Sequence, residues 1–408
     1  MYFRLSYCKT ELFYDVLVLL PMTTILLDFL TLLTEYVPVI VSVSIGVYCL
    51  RTTIFILGAA KERRRRIRYD EASDFVPIVS VIVPARNEET TIEQCVRALA
   101  LSDYPPERFE IIVVNDRSSD KTGEILERLV KEIPNLIVHN ATDDRSNTNL
   151  QGKPRAVHQG IMRSKGEFVL MTDADCTVPP TWISAIAHTF QNPRIGLVAS
   201  YTLAKGKRLF DYLQMYEWLI NNTMASAGVG LGQPLGCFGN NLSVRRSVYD
   251  ALGGYPHIRF SLTEDLALLQ AVTGAGYEVR YICAHATQIT TLPCPDIAAF
   301  IKQHHRWVNG GKALGWRAAV FVITSLSMWI GILVSLVTAS WLALGVLYCA
   351  RTLADMALTY PAYKEMRITS HIVWMPLVEP FFLLVELMTP FLGLKSRVEW
   401  KGQILRNH

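Results

Sequence analysis

The chain contains the stretch Phe168-Val169-Leu170-Met171-Thr172-Asp173-Ala174-Asp175, in which apolar residues run directly into two carboxylates separated by one residue. The apolar run predicts a buried strand of a parallel sheet. Ligands of open α/β sheets collect beyond the carboxyl ends of the strands, and residues two apart on an extended chain point the same way. Asp173 and Asp175 are therefore expected to face one ligand, and their hard oxygens suit Mg²⁺ or Mn²⁺. The alternative at this point is a solvated acidic turn.

Two earlier apolar runs, 76–84 and 111–114, also end in polar residues. The first is followed by Ala85-Arg86-Asn87-Glu88-Glu89, and the second by Asn115-Asp116-Arg117-Ser118-Ser119-Asp120. Strands that alternate with helices predict parallel βαβ units with right-handed crossovers. The predicted fold class is α/β, with a mostly parallel sheet flanked by helices. Helices are expected at 91–101, 121–132, 152–163 and 182–190, and further strands at 136–139 and 195–201.

The composition indicates a membrane protein with a soluble centre. Half of the 408 residues are hydrophobic, and they concentrate before residue 60 and after residue 317. A net charge of +4 without basic-aromatic alternation argues against a nucleic-acid partner. The eight cysteines form no CxxC pair, which makes a zinc site or a disulfide framework unexpected and favours reduced thiols in a cytosolic environment.

The N-terminal region has two apolar stretches, 12–33 and 37–60. Each approaches the roughly 20 residues that cross a bilayer, so we expect at least one span. A cleaved signal peptide fits poorly because the apolar run is too long and a basic cluster, 61–68, follows it. By the positive-inside bias, this cluster places the following domain in the cytosol. Contact with anionic head groups is its other possible role.

The C-terminal region is apolar again. Residues 318–349 predict one span, or a hairpin that continues to about residue 360. The stretch 368–394 is interrupted by prolines, which is consistent with a span, a re-entrant helix or a surface-lying helix. The tail carries Arg397, Lys401 and Arg406 and is expected in the cytosol. The predicted domains are N-terminal membrane segments 1–60, a basic linker 61–75, a cytosolic catalytic domain 76–316, C-terminal membrane segments 317–394 and a basic tail 395–408.

The second half of the central region adds further polar segments. Residues 208–227 form an amphipathic helix that either packs in the core or lies on a membrane surface. The glycine-rich turn 236–241 lets the backbone approach a ligand closely, so Gly239 and Asn240 are expected near an acceptor or product. Glu264 and Asp265 open a helix that Thr263 or Ser261 is expected to cap; acidic residues also suit a first turn electrostatically.

A helix that starts near Asp296 carries Gln303, Arg306 and Trp307 on one face, since residues three and four apart are neighbours on a helix. His304 and His305 lie on the same helix, and we expect surface or structural roles for them. The motif Gln303-x-x-Arg306-Trp307 is the last of the polar motifs along the chain.

Taken together, residues 76–316 resemble the inverting family 2 glycosyltransferases, which have the GT-A fold. The resemblance rests on Val83-Pro84-Ala85-Arg86-Asn87-Glu88, on Asp116, on Asp173-Ala174-Asp175, on Thr263-Glu264-Asp265 and on Gln303-x-x-Arg306-Trp307. The last signature is typical of the membrane-embedded branch, which includes cellulose, chitin, hyaluronan and poly-N-acetylglucosamine synthases. Ceramide glucosyltransferases, which add one sugar, are also similar.

The resemblance implies roles for these residues. Pro84, Arg86, Glu88, Asp116, Lys153 and Asp173 would bind the nucleotide-sugar donor, which in this family is most often a UDP-sugar. Asp175, with Asp173, would hold Mg²⁺ or Mn²⁺. Asp265 would be the catalytic base, with Glu264 beside it, and Gln303, Arg306 and Trp307 would frame donor and acceptor. Pro154 departs from the Gly-Lys-Ala of many family members.

The chemistry of sugar transfer agrees with these roles. A nucleoside diphosphate leaving group gains negative charge, so a cation and a basic side chain must stabilise it. The acceptor hydroxyl loses its proton as it attacks, and Asp265 or Glu264 is the available base. One displacement inverts the anomeric centre. Trp307 offers a flat apolar face to a sugar ring.

The sequence predicts a single-transfer enzyme at the cytosolic side of the inner membrane, acting on a lipid-linked or membrane-bound glycan acceptor. It leaves three alternatives to this prediction. A processive polysaccharide synthase would need more spans than this chain offers. A glycoside hydrolase with paired carboxylates would explain Asp173 and Asp265 but not the nucleotide-type loops. A non-catalytic membrane anchor would be expected to have lost its carboxylates, and this chain retains them.

Overall fold

The computed structural model describes residues 4–65, 75–142, 149–394, 398–400 and 403–405, with side chains described between 27 and 394 in those ranges. Most of the predicted basic linker, and the three basic residues predicted to hold the tail in the cytosol, lie outside the described residues. By contact density the chain divides into two units. One comprises Met1–Thr52 and Ala319–Ala354, and the other comprises Thr53–Ala318 and Asp355–His408.

The larger unit is built on a sheet of seven strands. The strands are β1 (Val79–Ala85), β2 (Phe109–Asn115), β3 (Leu136–Asn140), β4 (Phe168–Met171), β5 (Ile195–Ser200), β7 (Leu242–Arg245) and β8 (Glu278–Ile282). Their order in the sheet is β3-β2-β1-β4-β7-β5-β8. Strand β7 alone runs antiparallel to its two neighbours, and the other pairings are parallel. The predicted α/β class with a mostly parallel sheet is confirmed.

The remaining strands form two smaller sheets. Strand β6 (Thr202–Ala204) pairs in parallel with β9 (Ile289–Thr291), and β10 (Val398–Trp400) pairs in antiparallel fashion with β11 (Gln403–Leu405). Short 3₁₀ turns lie at Pro106–Arg108, His285–Thr287, Lys312–Leu314 and Thr369–Trp374.

The helices follow the order expected from the sequence. They are α1 (Arg4–Arg64), α2 (Ile92–Ala100), α3 (Thr122–Glu132), α4 (Lys153–Arg163), α5 (Trp182–Thr189), α6 (Leu209–Gly230), α7 (Arg246–Ala251), α8 (Glu264–Gly274), α9 (Ile297–Gly311), α10 (Trp316–Val337), α11 (Trp341–Glu365) and α12 (Met375–Gly393). The predicted helices and strands of the central region are found within three residues of their expected ends. The largest shift is at the first strand, which begins at Val79 rather than at residue 76.

Alternation along the strands gives the sheet two buried faces, because successive side chains of a strand point to opposite sides. Val81 and Val83 of β1 join one hydrophobic cluster with α2, α3 and α5. Ile82 of the same strand joins the other cluster, with α4, α6 and α8. Both faces are covered by helices, so the strands read as continuous apolar runs.

Helix α6 belongs to this core. Most of its residues are buried, including Met215, Trp218 and Leu219. The core-packing role expected for 208–227 is therefore confirmed, and the alternative of a membrane-surface helix does not describe this segment.

The end of α1 is joined to strand β8 within the larger unit by a buried ion pair. Arg280 donates from Nε to Glu62 Oε1 at 2.7 Å, and the Tyr281 amide donates to the same oxygen at 3.0 Å. Both charged side chains are less than a tenth exposed. Burial makes such a pair sensitive to the loss of either partner.

Within the described residues, four helical segments are long and apolar enough to cross a membrane: Leu27–Arg64, Trp316–Val337, Trp341–Glu365 and Thr369–Gly393. The two N-terminal stretches expected from the sequence lie in one continuous helix, α1. Beyond residue 316 the chain forms α10 and α11, the arrangement expected of a hairpin, and α12 continues through Pro380 and Pro390. The predicted domain boundaries depend on where a bilayer lies and stay predictions.

Candidate active site

The carboxyl end of β4 opens onto a cleft of about 420 Å³, and Asp173 and Asp175 line it. The loops after β1 and β2 reach the same cleft because parallel strands end at the same sheet edge. Every residue predicted for the site lines this one cleft: Pro84, Arg86, Glu88, Asp116, Lys153, Asp173, Asp175, Gly239, Asn240, Glu264, Asp265, Gln303, Arg306 and Trp307. The roles assigned to them by resemblance remain predictions.

Asp116 is buried at the end of β2 and is surrounded by guanidinium groups. Arg117 Nε lies 2.9 Å from its Oδ1, Arg155 Nη2 lies 3.7 Å from Oδ1, and Arg86 Nη1 lies 3.8 Å from Oδ2. The carboxylate is therefore within ion-pair distance of Arg86, which lines the cleft. Sequence reasoning missed Arg155 because it follows Lys153 on a helix and gives no signal of its own.

The loops after β1 and β2 are hydrogen-bonded to each other. Asn87 has a left-handed backbone (φ 55°), which places its side-chain oxygen to accept from the Ser119 amide at 2.8 Å. Its own amide donates to the Ser118 hydroxyl at 3.0 Å. Non-glycine residues adopt this conformation rarely, and asparagine does so most readily. The interlocking fixes Arg86 and Glu88 at the edge of the cleft.

Lys153, the first residue of α4, lies between the acidic loop after β4 and the acidic first turn of α8. Its Nζ is 2.6 Å from Asp173 Oδ1 and 3.2 Å from Glu264 Oε1. Burial by itself disfavours the ammonium, but the nearby charges of Asp173 and Glu264 outweigh it and raise the pKa of Lys153. A fixed positive charge therefore stands next to the Asp-Ala-Asp motif.

Asp265 is held at the start of α8 by two backbone amides. Gly239 donates to its Oδ2 and Leu266 to its Oδ1, both at 2.8 Å. Burial, followed by the charge of the neighbouring Glu264, raises the pKa of Asp265 to about 6. A carboxylate with this pKa accepts a proton readily near neutral pH, which suits a general base.

The capping expectation for α8 is wrong in one respect. Thr263 precedes the helix, but its side chain makes no capping hydrogen bond. The Ser261 hydroxyl accepts from the Thr263 amide at 3.2 Å rather than from the helix. Glu264 and Asp265 do occupy the first turn, where the helix dipole favours negative charge.

The backbone of Gly239 lies close to two charged side-chain ends. A Cβ there would lie 3.2 Å from both Glu264 Oε1 and Lys153 Nζ. The neighbouring Asn240 is buried and its Oδ1 accepts from the Thr202 hydroxyl at 3.0 Å. Asn240 thus lines the cleft while its side-chain oxygen supports the fold.

Helix α9 begins as the sequence predicts. Asp296 caps it by accepting from the Ala299 amide at 2.8 Å. Gln303, Arg306 and Trp307 lie on the face that lines the cleft. The structural role expected for His304 is confirmed, because its ring is buried and bonded to Glu217 of α6.

Two aromatic residues that the sequence analysis did not assign to the site also line the cleft, Trp218 and Phe238. The ring centres are 5.5 Å apart for Trp218 and Trp307, 5.7 Å for Phe238 and Trp307, and 4.6 Å for Trp218 and Phe238. We call these three residues the aromatic wall. Aromatic rings of this kind present flat apolar faces to the cleft.

The donor set fits a divalent cation that is shared with phosphate. Among the described residues, no three His, Cys, Asp or Glu side chains form a closed metal-binding group. Mg²⁺ and similar ions in phosphate sites are bound through one or two carboxylates, with water and substrate phosphates completing the shell. Asp175 and Asp173 offer such a pair of carboxylates.

The sheet, the acidic loops and the shared cleft define a glycosyltransferase of the GT-A fold. Residues 39–408 match the model of glycosyl transferase family 21, and the chain belongs to that family. The glycosyltransferase class predicted from the motifs is thereby confirmed.

Among curated proteins, the chain is 30% identical over 268 residues to the beta-monoglucosyldiacylglycerol synthase of Trichormus variabilis, which covers 63% of this chain and 54% of that protein. It is 30% identical over 242 residues to the probable glycosyltransferase YdaM of Bacillus subtilis, covering 58% of this chain and 56% of that protein. The N-acetylglucosaminyltransferase of Rhizobium leguminosarum is 26% identical over 289 residues, and the match covers 65% of this chain and 64% of that protein. The chain spans about half the length of the first two relatives.

Among solved structures, the mannosyltransferase PcManGT from Pyrobaculum calidifontis, in complex with GDP-Man and Mn²⁺, has the same fold. Its TM-score is 0.55 at 19% identity, and the match covers 84% of this chain and 99% of that one.

Proposed function

We propose that this protein transfers one sugar from a nucleoside diphosphate sugar, most simply a UDP-sugar, to a lipid acceptor at the cytosolic face of a membrane, with inversion at the anomeric carbon. The observation that carries the proposal is the position of Lys153, whose ammonium lies between Asp173 and Glu264 in the cleft that also contains Asp265. The basic group that would stabilise the leaving diphosphate and the carboxylate that would accept the proton thus face the same cleft.

The donor end would be formed by the loops after β1, β2 and β4. Asp175, with Asp173, would hold a divalent cation, which would offset the charge of the departing diphosphate. Lys153 supplies a further positive charge; its release from Asp173 on donor binding would let it turn to a phosphate oxygen. Arg86, held by Asp116, provides a second basic group at the nucleotide end.

The acceptor end would be formed by α8, α9 and the aromatic wall. Asp265 would take the proton of the acceptor hydroxyl as it attacks, and the amides of Gly239 and Leu266 keep its oxygens oriented. General base assistance of this kind contributes about 10²–10⁴-fold. Arg306 and Gln303 lie beside the path between the two ends. A single displacement by an oriented hydroxyl inverts the configuration.

The lipid acceptor is supported by two independent points. The relatives at 30% identity include enzymes named for the synthesis of monoglucosyldiacylglycerol, although this chain covers only 54% of their length. The described residues also include four apolar helices of membrane-spanning length. Transfer of one sugar is favoured over polymer synthesis because a polymer channel needs more spans than these.

The test uses the full chain in detergent with radiolabelled UDP-glucose, UDP-N-acetylglucosamine and GDP-mannose, each with Mn²⁺ or Mg²⁺, and with diacylglycerol in mixed micelles. We expect a glycolipid with one sugar of inverted anomeric configuration from one donor. A ladder of long products would favour the processive alternative. Release of free sugar from an oligosaccharide without any nucleotide donor would favour a hydrolase and contradict the proposal.

A further inference from the structure

A buried acid–base pair that the proposed chemistry does not use lies behind the aromatic wall. Glu217 of α6 and His304 of α9 are both less than a tenth exposed, and His304 Nε2 lies 2.5 Å from Glu217 Oε1. The other ring nitrogen, Nδ1, lies 2.9 Å from the carbonyl oxygen of Phe300. Both nitrogens of this imidazole therefore have an oxygen partner inside the protein.

These partners fix the number of protons in the pair. A backbone carbonyl only accepts hydrogen bonds, so Nδ1 carries a hydrogen and donates it to Phe300. A carboxylate and a bare Nε2 lone pair would repel each other at this distance, so a second proton lies between Nε2 and Glu217. Burial opposes the charged imidazole, but the hydrogen bond and the charge of Glu217 outweigh it and raise the pKa of His304.

The pair is directly connected to the aromatic wall. Glu217 is the residue before Trp218, and His304 lies one helical turn before Trp307, with ring centres 5.1 Å apart. In the contact between α6 and α9, the hydrogen bond of Glu217 with His304 thus lies next to the edge-to-face contact of the two tryptophans. Moving either helix would move both features together.

We propose that Glu217 and His304 form a positioning pair, which holds the aromatic wall in its acceptor-binding arrangement only while the shared proton is present. The inference rests on the proposed function in assigning the wall to the acceptor. It predicts that removal of the shared proton at alkaline pH weakens acceptor binding and leaves donor binding unchanged.

Titratable groups lie on the elements that surround the pair. The segment before α9 carries Cys294, a thiol that stays protonated because burial and then the charge of Glu217 raise its pKa. Helix α12, which packs on α6 and α9, carries the carboxyl groups of Glu379 and Glu386. A negative charge near the pair would favour retention of the proton, and the positive charge of Arg306, on α9 itself, would oppose it.

The first experiment compares acceptor and donor KM across pH for the wild type, Glu217→Leu and His304→Gln, in the micelle assay with the active donor. Because Glu217→Leu removes the bond, we expect acceptor KM to rise about tenfold with donor KM within twofold. In the wild type acceptor KM should rise as pH increases through the alkaline range. In His304→Gln it should stay flat, since the amide donates to Glu217 at every pH.

A matched control separates positioning from general stability. Glu62→Gln breaks another buried ion pair of this unit, the one with Arg280, and neither residue lines the cleft. We expect it to lower the thermal midpoint and leave acceptor KM unchanged. The proposal is overturned if the wild type and His304→Gln share the same alkaline profile, or if Glu217→Leu raises both KM values equally. If Glu217→Leu fails to fold, the His304→Gln profile decides.

A second measurement does not depend on sugar transfer. In ¹⁵N NMR of the histidine side chains, the Nε2 signal that disappears in His304→Gln should change only at a pH where the exposed histidines have already lost their protons. If this signal titrates together with the exposed histidines, the pair does not retain its proton and the inference fails. If the NMR result holds but no donor gives a product, the proposed function fails alone.

Discussion

Gly310 of α9 packs directly against Thr263, the residue that precedes α8. A Cβ at Gly310 would lie 2.3 Å from Thr263 Cγ2 and 2.4 Å from its Oγ1. The absence of a side chain at this position lets the helix that carries Gln303 and Arg306 approach the start of α8, which carries Glu264 and Asp265. The two sides of the proposed acceptor end are in contact at this point.

Gly310→Ala should therefore separate α9 from the start of α8. Because the clash is with a short branched side chain, relief requires movement of backbone, and we expect the transfer rate to fall at least about tenfold. Gly311→Ala is the matched control, since a Cβ there meets nothing within 4 Å. It should keep full activity and gain slightly in stability, by about 0.5–1 kcal/mol. Equal activity of the two variants would contradict the role of this contact.

Asp265→Asn should abolish transfer while the donor still binds. We expect a loss of about 10²–10⁴-fold in kcat, with nucleotide affinity by calorimetry changed less than threefold. A similar loss of nucleotide affinity would instead place Asp265 in the donor end.

The pH dependence of the wild type follows from the same residue. The pKa of Asp265 is raised to about 6, so its carboxylate is protonated below that value and cannot accept the acceptor proton. The transfer rate should rise with pH through about 6 and level off near neutral pH. A rate that is constant between pH 5 and 7 at saturating substrates would contradict its assignment as base.

Lys153→Met should weaken donor binding. The ammonium lies between Asp173 and Glu264, and its removal leaves two carboxylates facing the diphosphate. We expect the Kd for the nucleotide sugar to rise about tenfold or more, the effect of one lost charge-assisted contact of about 1.5–3 kcal/mol. Lys165→Met, at an exposed position outside the cleft, is the control and should bind like the wild type. Unchanged affinity in Lys153→Met would exclude this lysine from the donor site.

Asp175→Asn should remove the effect of divalent cations on nucleotide binding. In the wild type, Mn²⁺ should tighten UDP binding in calorimetry and EDTA should reverse it, because Asp175 and Asp173 would hold a cation that offsets the charge of the diphosphate. In Asp175→Asn the affinities with and without Mn²⁺ should converge. Glu124→Gln, on the exposed face of α3, should behave like the wild type. Persistent Mn²⁺ dependence in Asp175→Asn would show that the metal lies elsewhere.

Glu62→Gln should destabilise the protein far more than a change at a surface ion pair. Loss of one partner from a buried pair costs about 3–5 kcal/mol because Arg280 keeps its charge inside the protein. Glu132→Gln removes an exposed partner of Arg97, a change of about 0–1 kcal/mol. Thermal midpoints in detergent should separate the two variants clearly. Similar midpoints would mean that water reaches Arg280.

The convergence of the residues of the proposed donor end in one cleft could be predicted from the sequence because their signals are local. Asp173 and Asp175 follow a recognisable strand, Asp116 follows another, and the rule that parallel strands end at one edge brings them together. The start of α9 near Asp296 is equally local and was predicted correctly. Thr263 was not, because its side chain packs towards Gly310 instead of bonding the helix that it precedes.

The other two members of the aromatic wall, besides Trp307, could not be predicted. Trp218 lies on a helix rich in large apolar residues, where a tryptophan is usually part of the core, and Phe238 lies in a loop. Their contact with Trp307 depends on how α6 passes beside α9, which is a property of long-range packing. The same holds for Glu217 and His304, which are 87 residues apart in the chain.

The reversed direction of β7 has an evolutionary consequence. The segment that enters this strand, with Gly239 and Asn240, reaches the cleft from the opposite chain direction to the loops that leave β1, β2 and β4. In the proposed mechanism, nucleotide recognition and acceptor recognition are thus encoded by separate stretches of the gene. Under that mechanism, exchange of residues 231–241 between relatives would be the simplest route to a new acceptor with an unchanged sugar donor.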